Sequence, residues 1–246
     1  MSDPHKKQKY RALLLDLDGT LLGLDLEKFI PAYIEVLSRE FDGCIDRNEF
    51  ARHLFEATNA MIQNQDPAKT NETAFYEEFC RLTGQAYENI KPVVDNFYQN
   101  VFPQLSGWGQ QLPYTREVID AAREKKLILV LATNPIFPAA ATCERLSWSG
   151  LPVENFQLVT TMENMHFCKP NQEYYREISR LINCPPSECL MAGNDTLEDL
   201  SAAEVGMDTF LVEGYILDRT QKDPVYDYRG SLKDLALLVE NLAETD

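Results

Sequence analysis

The sequence predicts an α/β protein, a doubly wound parallel sheet with a block of helices inserted after its first strand. The apolar run Ala12–Leu15 does not alternate with polar residues, which is typical of a parallel strand covered on both faces. A further apolar run at 127–132 and a predicted strand around 188–192 are separated by helical patterns. Residues 23–114 instead repeat apolar side chains at helical spacing. We therefore predict a core of residues 1–22 and 115–246 and a helical domain of residues 23–114.

The helical block divides into four predicted helices, near 29–41, 46–65, 72–82 and 87–101. Gly43 and Gly84 follow the first and third as stop signals, and Asp46 opens the second as a cap. Pro92 predicts a kink in the fourth helix or a late start. The stretch 102–113, with two prolines and two glycines, is expected to lead out of the block.

From Thr115 onward the pattern alternates between helix and strand. Thr115 is a predicted helix cap, and the strand 209–212 is predicted to be the last of the sheet. The predicted helices lie at 115–126, from 138, at 172–182, 196–205 and 232–242, and the predicted strands at 127–132, 157–161, 188–192 and 209–212.

Composition restricts the class of ligand. The chain has 246 residues, a formal charge of −16 and a pI near 4.6. Nucleic acids and anionic membrane surfaces select for clustered Lys and Arg, so neither is an expected partner. A small molecule is favoured, and an anionic one needs local cations, a metal ion or aimed backbone N–H groups.

The cysteines indicate a reducing compartment. Six are present without a Cys-x-x-Cys pair or a zinc-like spacing, so we expect free thiols. Residues 1–11 are polar rather than signal-like, and no apolar span reaches 18 residues. A cytoplasmic protein, monomeric or homodimeric, is the expectation.

Two acids interrupt the first apolar run at the point where the strand ends. Asp16 and Asp18 are followed by Gly19, which permits a sharp turn, and by the hydroxyl of Thr20. Buried carboxylates are costly unless they are paired or bind a cation. The alternative is an ordinary exit from a strand with two solvated acids, and Asp-x-Asp alone leaves both interpretations open.

Other polar residues also occur where apolar strands end. Thr133 and Asn134 follow one strand, Asp195 follows another, and Lys169 lies in a loop. The carboxyl ends of parallel strands converge on one crevice, so these groups predict a site for a phosphate and a divalent metal. One carboxylate would attack phosphorus, a second would transfer protons, and Mg²⁺ would neutralise charge. Taken singly, Lys169 is a solvated lysine and Asp195 a helix cap.

These residues resemble the motifs of the haloacid dehalogenase superfamily, whose members are mostly phosphatases with a Rossmann-like core. The matching stretches, in order, are Asp16-Leu17-Asp18-Gly19-Thr20, Thr133-Asn134, Lys169-Pro170 and Gly193-Asn194-Asp195-Thr196-Leu197-Glu198-Asp199. The resemblance implies Asp16 as nucleophile, Asp18 as general acid and base, and Thr133 and Lys169 as stabilisers of the phosphoryl group.

Further roles follow from the same resemblance. Asp16, Asp18, Asp195 and Asp199 would surround the metal, and Thr20, Thr133, Asn134 and Lys169 would bind substrate. Asn194 stands where the family's fourth motif more often has Gly directly before Asp, so either Asn194 or Asp195 is the ligand there. Residues 23–114 resemble the family's helical cap, which closes over the crevice and selects substrate.

Asp18 favours hydrolysis of a phosphate ester of a small metabolite. Relatives that cleave carbon–halogen bonds generally lack this second acid, since a departing halide needs no proton. A phosphomutase keeps both acids and is an alternative, as is a receiver-like module that accepts a phosphoryl group. Receivers are about half this length and lack the insert, and steady turnover of an aryl phosphate distinguishes an enzyme from them.

Overall fold

The computed structural model describes residues 10–220 and 223–243, and its centre is a six-stranded parallel sheet. In chain order the strands are β1 (Ala12–Leu15), β2 (Leu22–Gly23), β3 (Gln110–Gln111), β4 (Ile128–Leu131), β5 (Leu158–Val159), β6 (Cys189–Gly193), β7 (Asp208–Val212) and β8 (Tyr228–Gly230). Their order in the sheet is β5-β4-β1-β6-β7-β8, with β2 and β3 outside it. The chain builds the sheet first to one side of β1 and then to the other. This reversal places a ligand crevice at the carboxyl end of β1.

In the described residues eight α-helices cover the sheet and form the insert. They are α1 (Leu26–Arg39), α2 (Arg47–Ile62), α3 (Asn71–Thr83), α4 (Tyr87–Asn96), α5 (Thr115–Glu124), α6 (Ala139–Trp148), α7 (Gln172–Leu181) and α8 (Leu232–Glu240). Among the described residues no helix combines the length and apolarity that crossing a membrane requires.

The side chains of β1 alternate between two apolar clusters. Leu13 and Leu15 pack with residues of α5 and α8, whereas Ala12 and Leu14 pack with residues of α7. Both faces of the strand are therefore buried, which explains why its sequence lacks polar alternation. The predicted α/β class with a doubly wound parallel sheet is confirmed.

The helical insert, residues 24–109, leaves and rejoins the core through the short antiparallel pair β2–β3. Asp25 and Asp46 cap α1 and α2, and Gly84 ends α3 in the left-handed conformation with φ +67°. Helical structure continues past α4 as a π-helical turn, Phe97–Val101, and a 3₁₀ helix, Phe102–Trp108. The chain is thus helical across Pro92 and for several residues into the predicted exit.

Asn71, at the start of α3, joins the insert to two loops of the core. Its side-chain amide donates to the carbonyls of Pro135 (3.4 Å) and Phe167 (3.3 Å), and its backbone N–H donates to Met165 (2.8 Å). The residue is completely buried. Because Pro135 follows Asn134 and Phe167 lies two residues before Lys169, this contact ties the insert to both of those loops.

Three local predictions were wrong. A strand follows 209–212, because β8 pairs with β7 at the sheet edge. Thr115 is the first residue of α5 rather than its cap, and its hydroxyl donates to Leu112 O at 2.9 Å. Of the predicted helix 196–205 only Leu200–Val205 is helical, as a 3₁₀ segment. The Asp195 carboxylate binds the N–H groups of residues 197 and 198 and holds that stretch as a turn.

Candidate active site

The centre of the crevice is a buried lysine held between two carboxylates. Lys169 Nζ lies 3.0 Å from Asp16 Oδ1 and 2.6 Å from Asp199 Oδ1. The side chain of Lys169 is 1% exposed and that of Asp16 is 12% exposed. Asp16 directly follows β1, in the middle of the sheet, and Asp199 follows the turn after β6. The structure thus brings together three residues that are distant in sequence.

Burial and repulsion by neighbouring acids disfavour the ionised form of the Asp16 carboxyl. Burial raises the pKa of Asp16 to about 8, Lys169 opposes the rise, and the charges of Asp199 and Asp18 add to it. Burial alone would lower the pKa of Lys169, but Asp16 and Asp199 raise it well above its usual value. Lys169 is therefore a fixed cation, and one cation does not fully compensate the acids around it.

The loop after β4 contributes the neighbours of Lys169. Asn134 Oδ1 accepts a hydrogen bond from the backbone N–H of Lys169 at 3.2 Å, and its amide donates to Glu198 Oε2 at 3.0 Å. Thr133 is buried, and its carbonyl accepts from the hydroxyls of Thr160 and Tyr174 at 2.7 and 2.9 Å. These bonds fix the backbone of the loop beside Asp16.

Thr20, at the end of the first motif, forms a side-chain hydrogen bond with Asn194 of the fourth. The Thr20 hydroxyl donates to Asn194 Oδ1 at 3.0 Å, and the Asn194 amide donates to Tyr215 O at 2.7 Å. Thr20 is completely buried. A Cβ on Gly19, whose φ is +92°, would lie 2.3 Å from Asn194 Nδ2. A side chain at residue 19 would therefore displace Asn194 from Thr20. Glycine is required there both for its positive φ and for the space that Asn194 occupies.

Asp195 both caps the turn that follows it and meets an arginine. Its Oδ1 accepts from Leu197 N and Glu198 N, at 2.9 and 3.0 Å. Its Oδ2 lies 3.1 Å from Arg219 Nε, and Arg219 Nη1 lies 3.1 Å from Glu198 Oε1. Burial raises the pKa of Glu198 to about 7, with Lys169 opposing and Asp195 and Asp199 adding to the rise. Arg219 offsets part of this negative charge.

The predicted metal ligands are paired with cations of the protein. Within the described part of the chain no three His, Cys, Asp or Glu side chains are grouped as a ready metal site. The donors are nevertheless carboxylate oxygens, the ligands that Mg²⁺ prefers. Burial and the neighbouring acids disfavour the ionised form of Asp16, and a cation beside it would favour that form. The chemistry of Asp16 and Asp195 therefore fits a magnesium ion, which would compete with Lys169 and Arg219 for them.

Asp18 faces a buried arginine that the motifs did not indicate. Arg145 Nε, on α6, lies 3.2 Å from Asp18 Oδ1, and the Arg145 side chain is 1% exposed. Burial raises the pKa of Asp18, while Arg145 and Lys169 lower it. The spacing in the sequence could have indicated that Arg145 is buried. It follows Ala141 by four residues and Thr142 by three, so it lies on the same buried face of α6.

Gly193 lets Asp199 approach the strand end. A Cβ at residue 193 would lie 2.1 Å from Asp199 Oδ2, too close for the carboxylate to keep its hydrogen bonds to Lys169 and to Asp195 N. We expect Gly193→Ala to lower the free energy of unfolding by about 1–3 kcal/mol, as overpacking does, and to lower activity.

The control is Gly107→Ala, because apart from its chain neighbours and its own helix no atom of the described residues lies within 4 Å of the added Cβ. This substitution should be nearly neutral. Thermal unfolding and turnover of the two variants measure both effects. Equal behaviour of the two alanines would contradict the close approach of Asp199.

The fold resembles those of solved phosphatases and dehalogenases. A HAD phosphatase from Thermococcus onnurineus is 21% identical with a TM-score of 0.56, and the match covers 93% of this chain and 97% of that one. A predicted phosphoglycolate phosphatase from Haemophilus somnus 129pt is 14% identical with a TM-score of 0.58, covering 94% and 98%. The L-2-haloacid dehalogenase PA0810 is 17% identical with a TM-score of 0.56, covering 94% and 99%. At these identities the likeness establishes the fold.

Comparison with curated proteins finds none that matches. The sequence model of the haloacid dehalogenase-like hydrolases, however, matches residues 10–206, which include all four motifs described above. Since this match spans most of the chain and agrees with the strand order and the carboxylates at the strand ends, the protein belongs to the haloacid dehalogenase-like hydrolases.

Proposed function

We propose that this hydrolase is a phosphatase that cleaves the phosphate ester of a small metabolite. The observation that carries the proposal is the second carboxylate, Asp18, at the same strand end as the Asp16–Lys169 pair. A departing alkoxide must take up a proton, whereas a departing halide does not. A second acid two residues after the nucleophile therefore supports cleavage of an ester oxygen over cleavage of a carbon–halogen bond.

The residues support a reaction in two steps. Asp16 attacks phosphorus while the P–O bond of the ester breaks, and Asp18 gives its proton to the leaving oxygen. A water molecule then attacks the aspartyl-phosphate, Asp18 takes the proton, and the bond between Asp16 and phosphorus breaks to release phosphate. Lys169 and Asn134 hold the loop and the nucleophile in place throughout. Thr133 and Lys169 are the proposed partners of the phosphoryl oxygens.

Magnesium is part of the proposal. Asp16 and Asp195 would hold the ion, next to Asp18 and Asp199, and it would supply positive charge to the phosphoryl oxygens. Lys169 already binds Asp16 and Asp199, so it is the protein's own cation in the same crevice.

Hydrolysis of phenyl phosphate by the full chain with Mg²⁺ tests this function. Many phosphates released per chain would support a phosphatase. Release of a single phosphoryl group per chain would indicate a receiver-like acceptor. Halide release from 2-chloropropionate without hydrolysis of any phosphate ester would indicate a dehalogenase, and either of the last two results would overturn the proposal.

We expect Asp18→Asn to impair esters of poor leaving groups most. The amide cannot donate the proton that an alkoxide requires, so hydrolysis of an alkyl phosphate should fall by about 10²- to 10⁴-fold. The loss on 4-nitrophenyl phosphate should be much smaller, because nitrophenolate departs with little protonation.

The measurement is kcat/KM for both esters in wild type and variant, which reports the step that expels the leaving group and not the later hydrolysis of the aspartyl-phosphate. Thermal unfolding is the control for the loss of the ion pair to Arg145. Equal losses on the two esters would argue against a proton-donating role for Asp18.

A further inference from the structure

Arg145 is a buried cation with unused hydrogen-bonding capacity. Its only ion pair among the described residues is with Asp18, and Phe137 covers its guanidinium at 4.1 Å from the ring centroid. None of its three side-chain nitrogens has a hydrogen-bond partner in the described part of the chain. Arginine does not give up its proton in proteins, and leaving a buried charged donor unsatisfied is costly. Such a group is suited to bind an anion.

The other cations of the crevice each meet two carboxylates. Lys169 binds Asp16 and Asp199, and Arg219 binds Asp195 and Glu198. Arg145, within the described residues, meets Asp18 alone. By this comparison the surroundings of Arg145 accommodate one further negative charge, and a carboxylate can accept two parallel hydrogen bonds from Nη1 and Nη2.

The space for such a ligand lies between the insert and the core. A cavity of about 110 Å³ there has an almost wholly apolar wall. One residue of its wall, Phe137, contacts the guanidinium of Arg145, and two others, Tyr33 and Tyr98, lie within the range of its charge. The hydroxyls of Tyr33 and Tyr98 lie 2.6 Å apart. The cavity thus ends at Phe137, and the guanidinium of Arg145 lies on the other side of that ring, next to Asp18.

We propose that the leaving group of the substrate carries a carboxylate, that Arg145 binds it through Nη1 and Nη2, and that the apolar part of the leaving group occupies this cavity. The inference rests on the proposed phosphatase function and specifies its substrate class, a phosphorylated hydroxy acid. A single carboxylate fits better than a second phosphate, because one guanidinium balances one charge and the nearby Asp16 and Asp18 repel a second.

Matched pairs of esters test the substrate class without any mutation. Phosphoglycolate and 4-phosphooxybutanoate are each compared with their carboxamides, which have the same shape and one negative charge fewer. We expect kcat/KM to favour the acid over the amide by roughly 10- to 100-fold at one chain length at least, as charged hydrogen bonds allow. Phenyl phosphate serves as the substrate that needs no carboxylate.

Substitutions then test Arg145 itself. Arg145→Met should reduce the ratio of acid to amide to near one, and Arg145→Lys should lower it in part, because lysine is a point charge without the bidentate fork. Arg219→Met is the control, because it removes a different cation of the crevice and should preserve the ratio. The ratio is informative even if both substrates are hydrolysed more slowly, and the lysine variant covers a failure of the methionine variant to fold.

The outcomes separate the two proposals. If phenyl phosphate is hydrolysed but acids and amides react equally well at both lengths, the substrate class is wrong and the phosphatase function stands. If the wild-type preference persists in Arg145→Met and Arg145→Lys, the carboxylate binds elsewhere and the inference is overturned. If no phosphate ester is hydrolysed, the phosphatase function fails and the inference fails with it.

Discussion

Asp16→Asn is expected to abolish turnover while the protein stays folded. An amide has nearly the shape of a carboxylate but cannot attack phosphorus, so we expect a loss of about a thousandfold or more. The steady-state rate on phenyl phosphate measures the loss. The fold should tolerate the change, because burial already disfavours the charged form of Asp16 and raises its pKa to about 8.

Thermal unfolding provides the control for Asp16→Asn. The variant should have a melting temperature near that of the wild type, since Lys169 keeps its ion pair with Asp199 at 2.6 Å. A folded variant that retains more than about a hundredth of the activity would reject Asp16 as the nucleophile.

Lys169→Met is expected to cause the largest loss of stability. The change removes the cation shared by Asp16 and Asp199 and leaves two buried carboxylates beside each other. Removing one partner of a buried ion pair costs about 3–5 kcal/mol, and turnover should fall as well because the nucleophile loses its neighbour. Chemical denaturation near pH 8, without added divalent metal, measures the loss of stability.

Lys69→Met is the matched control for this substitution. Lys69 pairs with Glu77 at 2.5 Å, but its side chain is 33% exposed, so the loss should stay below about 1 kcal/mol. If the two methionine variants were equally stable, the ion pairs of Lys169 with Asp16 and Asp199 would not contribute to the fold.

The loss in Lys169→Met should also depend on pH. The pKa of Asp16 in the folded wild type is already raised, mainly by burial, and Lys169 is the group that opposes the rise. In the variant, which lacks Lys169, the pKa of Asp16 rises further. A carboxyl whose folded pKa exceeds its unfolded value stabilises the fold at low pH, and that contribution disappears as pH rises through the folded pKa. Below about pH 8 both folded proteins keep this proton, so the variant should be closer to wild type at pH 6 than at pH 9.

The positions of the strand ends could be predicted from the sequence because their signal is local. An apolar run followed by Asp16, or by Thr133, marks the carboxyl end of a buried strand, and parallel strands bring those ends together. Helix starts at Asp46 and the stop at Gly84 were likewise read from single residues. These features depend on neighbours in the chain and need no knowledge of tertiary contacts.

The residues that sequence reasoning missed depend on long-range contacts. Arg145 and Arg219 belong to no motif, and each meets the crevice only because a helix or a loop packs against it. The stretch after Asp195 resembles a helix start in sequence, but it forms a turn whose N–H groups at residues 197 and 198 donate to the Asp195 carboxylate. The separate pair β2–β3 contains two residues per strand, too few to show a period.

The hydrogen bonds of Asn71 to the core change how mutations in the insert should be interpreted. This residue lies in the insert, yet it holds Pro135 O and Phe167 O, which flank Asn134 and Lys169 closely in the chain. Removing the amide would release both loops at once, although Asn71 itself makes no contact with the catalytic carboxylates in the described structure. A selection for altered substrate preference would recover Asn71 variants that look like active-site mutants, and their defect would be one of anchoring rather than recognition.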